Sequence, residues 1–188
     1  MLIVMQNLIQ DLMKNWLFSA LIFLPVLSLS QTPNFDTSIF RLYTNSDEGI
    51  SFIYPKGWQL SNESPFIFRA TEYLGDSTDK YRESIYFGKL SKFTDLKYFT
   101  NTSAQAIKSQ NRRKISIIEK GVKKNENAII YGMIINKAVQ KNLTGIKTHI
   151  YFDTDYGRYF LVFENDISKS LKYEPLYSAI IQSIKTIK

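Results

Sequence analysis

The chain has 188 residues, of which 44% are hydrophobic and 14% aromatic, enough for one well-packed domain without the help of a metal or disulfides. Its 24 Lys and Arg against 17 Asp and Glu leave a formal net charge of +7, a balance that favours anionic partners. With no cysteine in the sequence, a disulfide framework, thiolate zinc sites, thiol catalysis and lipid attachment to an N-terminal cysteine are excluded.

Lys14 and Asn15 precede the apolar run Trp16 to Leu27, and Ser28-Leu29-Ser30 before Gln31 supplies the small-x-small pattern suited to signal peptidase. The run is shorter than the ~20 apolar residues of a spanning helix and is interrupted by Pro25. Residues 1–30 therefore read as a cleaved secretory signal rather than a retained anchor. Met13-Lys14 reads as a more natural start of such a signal than Met1, and on that reading residues 1–12 would be an upstream extension of the gene model. Cleavage removes Lys14 and Asp11 together, so the net charge stays at +7.

Residues 31–38 are polar with one proline and read as a loose leader; residues 39–188 read as a single domain. IFRLY and ISFIY, separated by the turn formers of TNSDEG, predict a hairpin. Pro55 cannot donate to a ladder and Gly57 permits a positive φ, so the second strand should stop there and the chain reverse, with Trp58 just beyond. FIFRATEYL and ESIYFGKL are the next strands. Leu96, Phe99, Ser103, Ala106 and Ile107 recur at helical spacing, predicting an amphipathic helix with a small-residue packing face.

RRKISIIEKG returns to strand composition, and AIIYGMIINKAV is apolar enough to predict burial on both faces. TGIKTHIYFDTDYGRYFLVFEN reads as a hairpin around D-T-D-Y-G. In its first strand Ile146, Thr148, Ile150 and Phe152 share one face, and Lys147, His149, Tyr151 and Asp153 the polar other. A closing helix carries the stripe Tyr173, Leu176, Tyr177, Ile180, Ile181 and Ile184, with Pro175 tolerable in a first turn.

This order of elements, with Tyr54-Pro55-Lys56-Gly57-Trp58 ending an early strand and Ile181-Gln182-Ser183-Ile184-Lys185 ending the last helix, resembles the PsbP-like family. That family is named for an extrinsic protein of photosystem II and shares its fold with a Ran-binding nuclear-import factor. The resemblance runs from Ile39 to Lys188. It implies an α+β fold, an α/β/α sandwich with a central, mainly antiparallel sheet flanked by helices. It makes Tyr54, Pro55, Gly57 and Trp58 structural landmarks, and it implies a secreted or periplasmic location without a shared catalytic motif. Nothing here resembles a plant transit peptide, and there is one histidine, so a photosystem role is not expected.

The search for chemistry is largely negative. A Ser-His-Asp arrangement would have to use His149, and no G-x-S-x-G elbow accompanies it. One histidine and no cysteine give no basis for a zinc site, and no metal or cofactor is expected. D-T-D-Y-G lacks the rest of a calcium loop and reads as a plain turn. Carboxylate pairs can meet in space without leaving a spacing signal.

The densest charge run is Arg112, Arg113 and Lys114, with Lys108, Lys120, Lys123 and Lys124 nearby. Solvated lysines on a strand edge discourage pairing with other chains. Arginines, by contrast, present a fork that grips phosphate or carboxylate. The candidate binding residues are Arg112, Arg113, Lys114, His149 and Tyr151. The expected function is a non-catalytic binding or accessory module for an anionic envelope surface or an acidic protein. A nucleic-acid partner conflicts with export, and no transmembrane segment remains after cleavage. The alternatives are an envelope-directed hydrolase, which needs converging polar groups in a concave site, and a small lipid carrier, which needs an apolar cavity. Mass analysis of the exported protein should give an N-terminus at Gln31; recovery of the intact hydrophobic run from membranes would overturn the signal assignment.

Overall fold

Alternating β-branched and aromatic runs cut by turn formers leave the chain few options besides antiparallel strands. The computed structural model describes residues 38–61, 66–72, 83–91, 95–110, 114–140 and 143–187. The expected signal and residues 31–37 of the leader lie outside the described residues.

β1 (Phe40–Asn45) and β2 (Ile50–Pro55) form a hairpin in register from Phe40↔Pro55 to Asn45↔Ile50. Asn45 Oδ1 accepts from Glu48 N at 3.0 Å within the turn. Gly49 closes the turn at φ +59, a left-handed conformation that costs glycine no Cβ clash. A Cβ there would also run into the Tyr156 ring. β2 is buried throughout, being the middle strand of a three-stranded sheet whose third member is β10 (Lys185–Thr186).

Beyond Pro55, Trp58 N donates to Pro55 O at 3.4 Å and Gly57 takes φ +102. The chain does not return along the same sheet. It enters β3 (Gln59–Ser61), a strand too short to be anticipated, which pairs with β4 (Phe68–Thr71) at the margin of a seven-stranded sheet. Trp58 therefore stands where the chain passes from one sheet to the other. It is half-buried against the main core, its ring edge-on to Tyr173 at 6.2 Å.

The large sheet continues through β5 (Ser84–Lys89), and its longest strands are β6 (Lys114–Lys124), β7 (Ile130–Gln140), β8 (Leu143–Thr154) and β9 (Gly157–Asp166). Its order is β3-β4-β5-β9-β8-β7-β6, antiparallel at every pairing. Directly paired residues share a face. Phe87, Leu161, Ile150 and Met133 thus meet β2 and the C-terminal helix α2 (Ser170–Ser183) in the main core. The rings there interlock: Phe52 lies 5.4 Å from Phe87 and 5.5 Å from Phe68, and Phe163 stacks on Tyr177 at 4.5 Å.

Alternate positions, Ile134 and Tyr151, form a second cluster with Ala104 and the half-buried Leu96, Phe99 and Ile107 of α1 (Leu96–Lys108). Asp95 caps α1 by accepting from Tyr98 N at 2.6 Å. Thr100 and Ala104 are its buried residues, whereas Ala106, expected on the packing face, is exposed. Ala106 stands roughly 200° around the helix from Ala104, so both cannot face the sheet.

Pro175 also departs from expectation, because it lies in the second turn of α2 rather than the first. A 3-10 turn (Ile167–Lys169), capped by Asp166 through Ser168 N, leads into the helix earlier than the hydrophobic stripe suggested. The missing N–H of a proline at such a position costs ~3 kcal/mol, a penalty the helix carries while its opposite face fills the core.

Thr100 approaches β7 where Gly132 has no side chain, and a Cβ at that position would overlap Thr100 Oγ1. Gly132→Ala should lower stability by ~1–3 kcal/mol in denaturant melts, the usual range for overpacking. Adding Thr100→Ala, which leaves Thr100 Cβ at 3.2 Å and Leu96 Cδ1 at 3.4 Å, should recover part of that loss.

Candidate functional site

The C-terminal helix packs over β2 and β9 and, among the described residues, leaves β6 and the neighbouring Ile135, Ile146 and Thr148 of β7 and β8 only partly covered on that face. Between α2 and β6 lies a half-open groove of ≈ 590 Å³. Tyr131, Met133 and Ile135 of β7 and Ile146 and Thr148 of β8 form its floor, α2 forms one wall through Tyr177, Ser178, Ile181 and Gln182, and β6 forms the other rim.

The register accounts for that rim: Glu119 pairs with Ile135, Gly121 with Met133 and Lys123 with Tyr131, so all share the groove face. A bulge between Ile117 and Glu119 adds Ile118 to the lining, where it remains 56% exposed. At Gly121 the rim is empty, and a Cβ would meet nothing within 4 Å.

The wall is held in place from the β6–β7 turn. Asn125 is buried and donates through Nδ2 to Ile181 O at 3.0 Å and Ile184 O at 2.8 Å, while its Oδ1 accepts from Ile129 N at 2.9 Å. Asn127 Nδ2 adds a bond to Gln182 O at 2.8 Å. Making these bonds places Ala128 at φ +65, the left-handed region that a Cβ disfavours.

Of the residues singled out from sequence, Arg112 and Arg113 lie outside the described residues. Lys114 is exposed at the start of β6, the terminal strand of the large sheet. His149 and Tyr151 are on the opposite face of that sheet from the groove, and the structure does not bring them to Lys114. Their face, expected to be polar, is covered at Tyr151, whose ring is buried edge-on against Phe99 at 5.1 Å. Burial pushes the Tyr151 phenol up to about 12. His149 Nε2 donates to the buried Asn136 Oδ1 at 3.0 Å, beside the Lys147–Glu164 ion pair of 2.8 Å. Burial, helped by Lys147, lowers the imidazole to about 4.

One constellation left no spacing signal. Glu72 directly follows β4 and Glu83 directly precedes β5, and the pairing Thr71↔Ser84 sets them side by side, with Glu72 N donating to Glu83 O at 2.9 Å. Their carboxyls are close enough to influence each other's titration. Lys169 Nζ lies 3.0 Å from Glu83 Oε1, Lys172 Nζ lies 3.1 Å from Glu72 Oε1, and Tyr173 OH donates to Glu72. Burial holds Glu83 above the usual carboxylate range. Against the same desolvation, Tyr173, Glu83 and Lys172 hold Glu72 below it.

Two acids driven apart in this way are the raw material of acid–base catalysis. Here, however, Glu83 is 0% exposed, and neither carboxylate lines the groove or the smaller ≈ 400 Å³ depression between α1 and β6. What the pair visibly does is fasten the start of α2 to β4 and β5. Among the described residues no group of three or more His, Asp or Glu could hold a metal, and no helix is long and apolar enough to cross a membrane.

The structure is similar to the cyanobacterial PsbP (CyanoP) of Synechocystis sp. PCC 6803, with a TM-score of 0.57 and 12% identity over 81% of this chain and 95% of that one. It is similar to the Ran-binding protein Mog1p of Saccharomyces cerevisiae, with a TM-score of 0.54 and 9% identity over 79% of this chain and 96% of that one. It is also similar to LpqN, involved in cell envelope biogenesis of Mycobacterium tuberculosis, with a TM-score of 0.51 and 12% identity over 83% and 99%. No protein-family profile and no curated protein sequence matches the chain. The fold is PsbP-like, as the YPKGW and IQSIK segments implied.

The lowered pKa of His149 has a defined sign. An unfolded chain takes up a proton near pH 6.5 that the folded ring refuses until about 4, so stability falls as pH drops through that window. Thermal midpoints measured against pH should show this decline, and His149→Gln should flatten it. Subtracting the two curves removes the background from Glu72 and Glu83. Parallel curves would mean that the ring is hydrated.

Proposed function

We propose that this protein is an exported, non-catalytic binding module with PsbP-like α/β/α layering, acting in the periplasm or outside the cell on an anionic envelope surface or an acidic protein. The observation that carries this reading is the lysine-rich terminal strand β6, with Lys123 and Lys124 lining an apolar groove, Lys114 exposed at its start and Lys120 on its other face. Arg112 and Arg113 immediately precede it in sequence. The signal pattern of residues 1–30 supports export. The fold shared with a Ran-binding protein and an envelope protein supports a module that works by binding. The enclosure of Glu83 argues against the hydrolase alternative, because a general acid must reach its substrate.

The test pairs sedimentation with phosphatidylglycerol vesicles and recovery of partners from the native envelope, each at rising salt. Attraction between exposed charges is screened over ~8 Å at physiological ionic strength, so retention should weaken as salt increases. The combined change Arg112→Glu, Arg113→Glu and Lys114→Glu should abolish retention and leave the thermal midpoint nearly unchanged. Retention by this variant with the same salt dependence would sink the proposal.

A further inference from the structure

We propose that the groove between α2 and β6 binds a single-chain anionic amphiphile, its acyl chain along the floor and its carboxylate or phosphate head at Lys123 and Lys124. This assignment rests on the reading of the protein as a binding module for an anionic partner and names the ligand of the groove.

Size and lining come first. The ≈ 590 Å³ of the groove falls within the ~300–1,000 Å³ of small-molecule sites. From Tyr131 at one end of the floor to Lys137, paired with Ile146, at the other, six residues of extended strand span ~20 Å. The floor between them is Met133, Ile135 and Ile146, with no main-chain edge exposed along it. A peptide strand would have nothing to pair with there. A single chain of methylenes asks only for apolar contact.

Charge supplies the direction. Lys123 and Lys124 stand at the end of the groove next to the β6–β7 turn, close to Gln182. At the opposite end, beside Asn165 and Ser170, the charged residue on the wall is Glu174. Glu119 lies between and is already paired with Lys123 at 2.7 Å. The C-terminal carbonyls of α2 would ordinarily repel an anion at the lysine end. They are occupied instead, Ile181 O, Gln182 O and Ile184 O accepting from Asn125 and Asn127. An anionic head is therefore favoured at the lysine end and disfavoured beside Glu174. Gly121 completes the case, because it shares the groove face, paired with Met133, and leaves the rim without a side chain there.

The experiment uses the purified protein with palmitate, lysophosphatidylglycerol and hexadecyltrimethylammonium, each below its micelle concentration, read by calorimetry and by shift of the thermal midpoint. Saturable one-to-one binding of both anionic probes and none of the cationic one is expected; binding of only one anionic probe shows which head the lysines accept and still supports the site. Gly121→Phe should abolish binding. Because that variant could fold poorly, Ile118→Glu, at an already exposed position, serves as an independent block of the apolar rim. Lys123→Ala with Lys124→Ala should weaken binding about tenfold, the scale of one lost charge-assisted contact. Absence of saturable binding, or binding unaffected by both Gly121→Phe and Ile118→Glu, overturns the assignment. So does a protein segment cross-linked in the groove when no amphiphile binds. If envelope retention survives while amphiphile binding is absent, the groove assignment alone falls; if both are absent, the binding-module reading falls with it.

Discussion

A helix leaves its last four carbonyls without partners, and burying that end without them would cost several kcal/mol in unsatisfied groups. In this protein the buried amide of Asn125 meets that need for α2, bonding Ile181 O and Ile184 O while its oxygen holds Ile129 N in the same turn. One side chain thus joins the end of the C-terminal helix to the β6–β7 hairpin, two elements about 56 residues apart. The left-handed backbone at Ala128 is a local strain maintained by this arrangement. At its other end α2 is fixed by Lys169 and Lys172 on Glu83 and Glu72. With both ends tied, the helix has one position on the sheet.

That position determines what is buried and what is left open. Along α2, Tyr173, Tyr177, Ile180 and Ile181 fill the space over β9 and β2, and Ser183 Oγ accepts from Ile53 N at 3.0 Å. The same rows of the sheet continue through β8 and β7 to β6, past the reach of the helix. Among the described residues, Met133 is consequently buried at the foot of the wall while Ile135 is only half-buried. On the other face α1 covers those strands, drawn close by the absence of a side chain at Gly132. Two glycines of neighbouring strands, paired one residue out of step, do opposite things: Gly132 admits a helix, and Gly121 leaves a rim unfilled.

Charge is segregated in the same way. The enclosed carboxyl pair and its lysines are spent on holding α2, and Glu48 is occupied by Lys89 at 2.7 Å and by the Tyr159 hydroxyl at 2.7 Å. The lysines of β6 are mostly exposed along a sheet margin, where they also oppose pairing with a second chain. Part of a positive excess that is diffuse in the composition is gathered, in the folded protein, along one margin of the large sheet, with Lys120 turned to α1 and Lys123 to the groove.

From the sequence alone came whatever depends on neighbours in the chain: strand runs with period two, the helical stripe of α1, the hairpin turns at TNSDEG and DTDYG, and the YPKGW and IQSIK segments that pointed to a PsbP-like fold. The excess of basic residues and the lack of thiol chemistry were equally plain. Tertiary structure decided the rest, because each remaining feature is a relation between distant residues. β3 and β10, of three and two residues, have too little length to carry a period and exist only through their partners. Glu72 and Glu83 are ordinary surface-type residues until antiparallel pairing brings them together. The polar face read along β8 becomes a buried one at Tyr151, because Phe99 of α1 lies over it. The groove is the extreme case: no residue in it is unusual for its strand or helix, and it exists because α2, tied at both ends, spans fewer strands than the sheet contains.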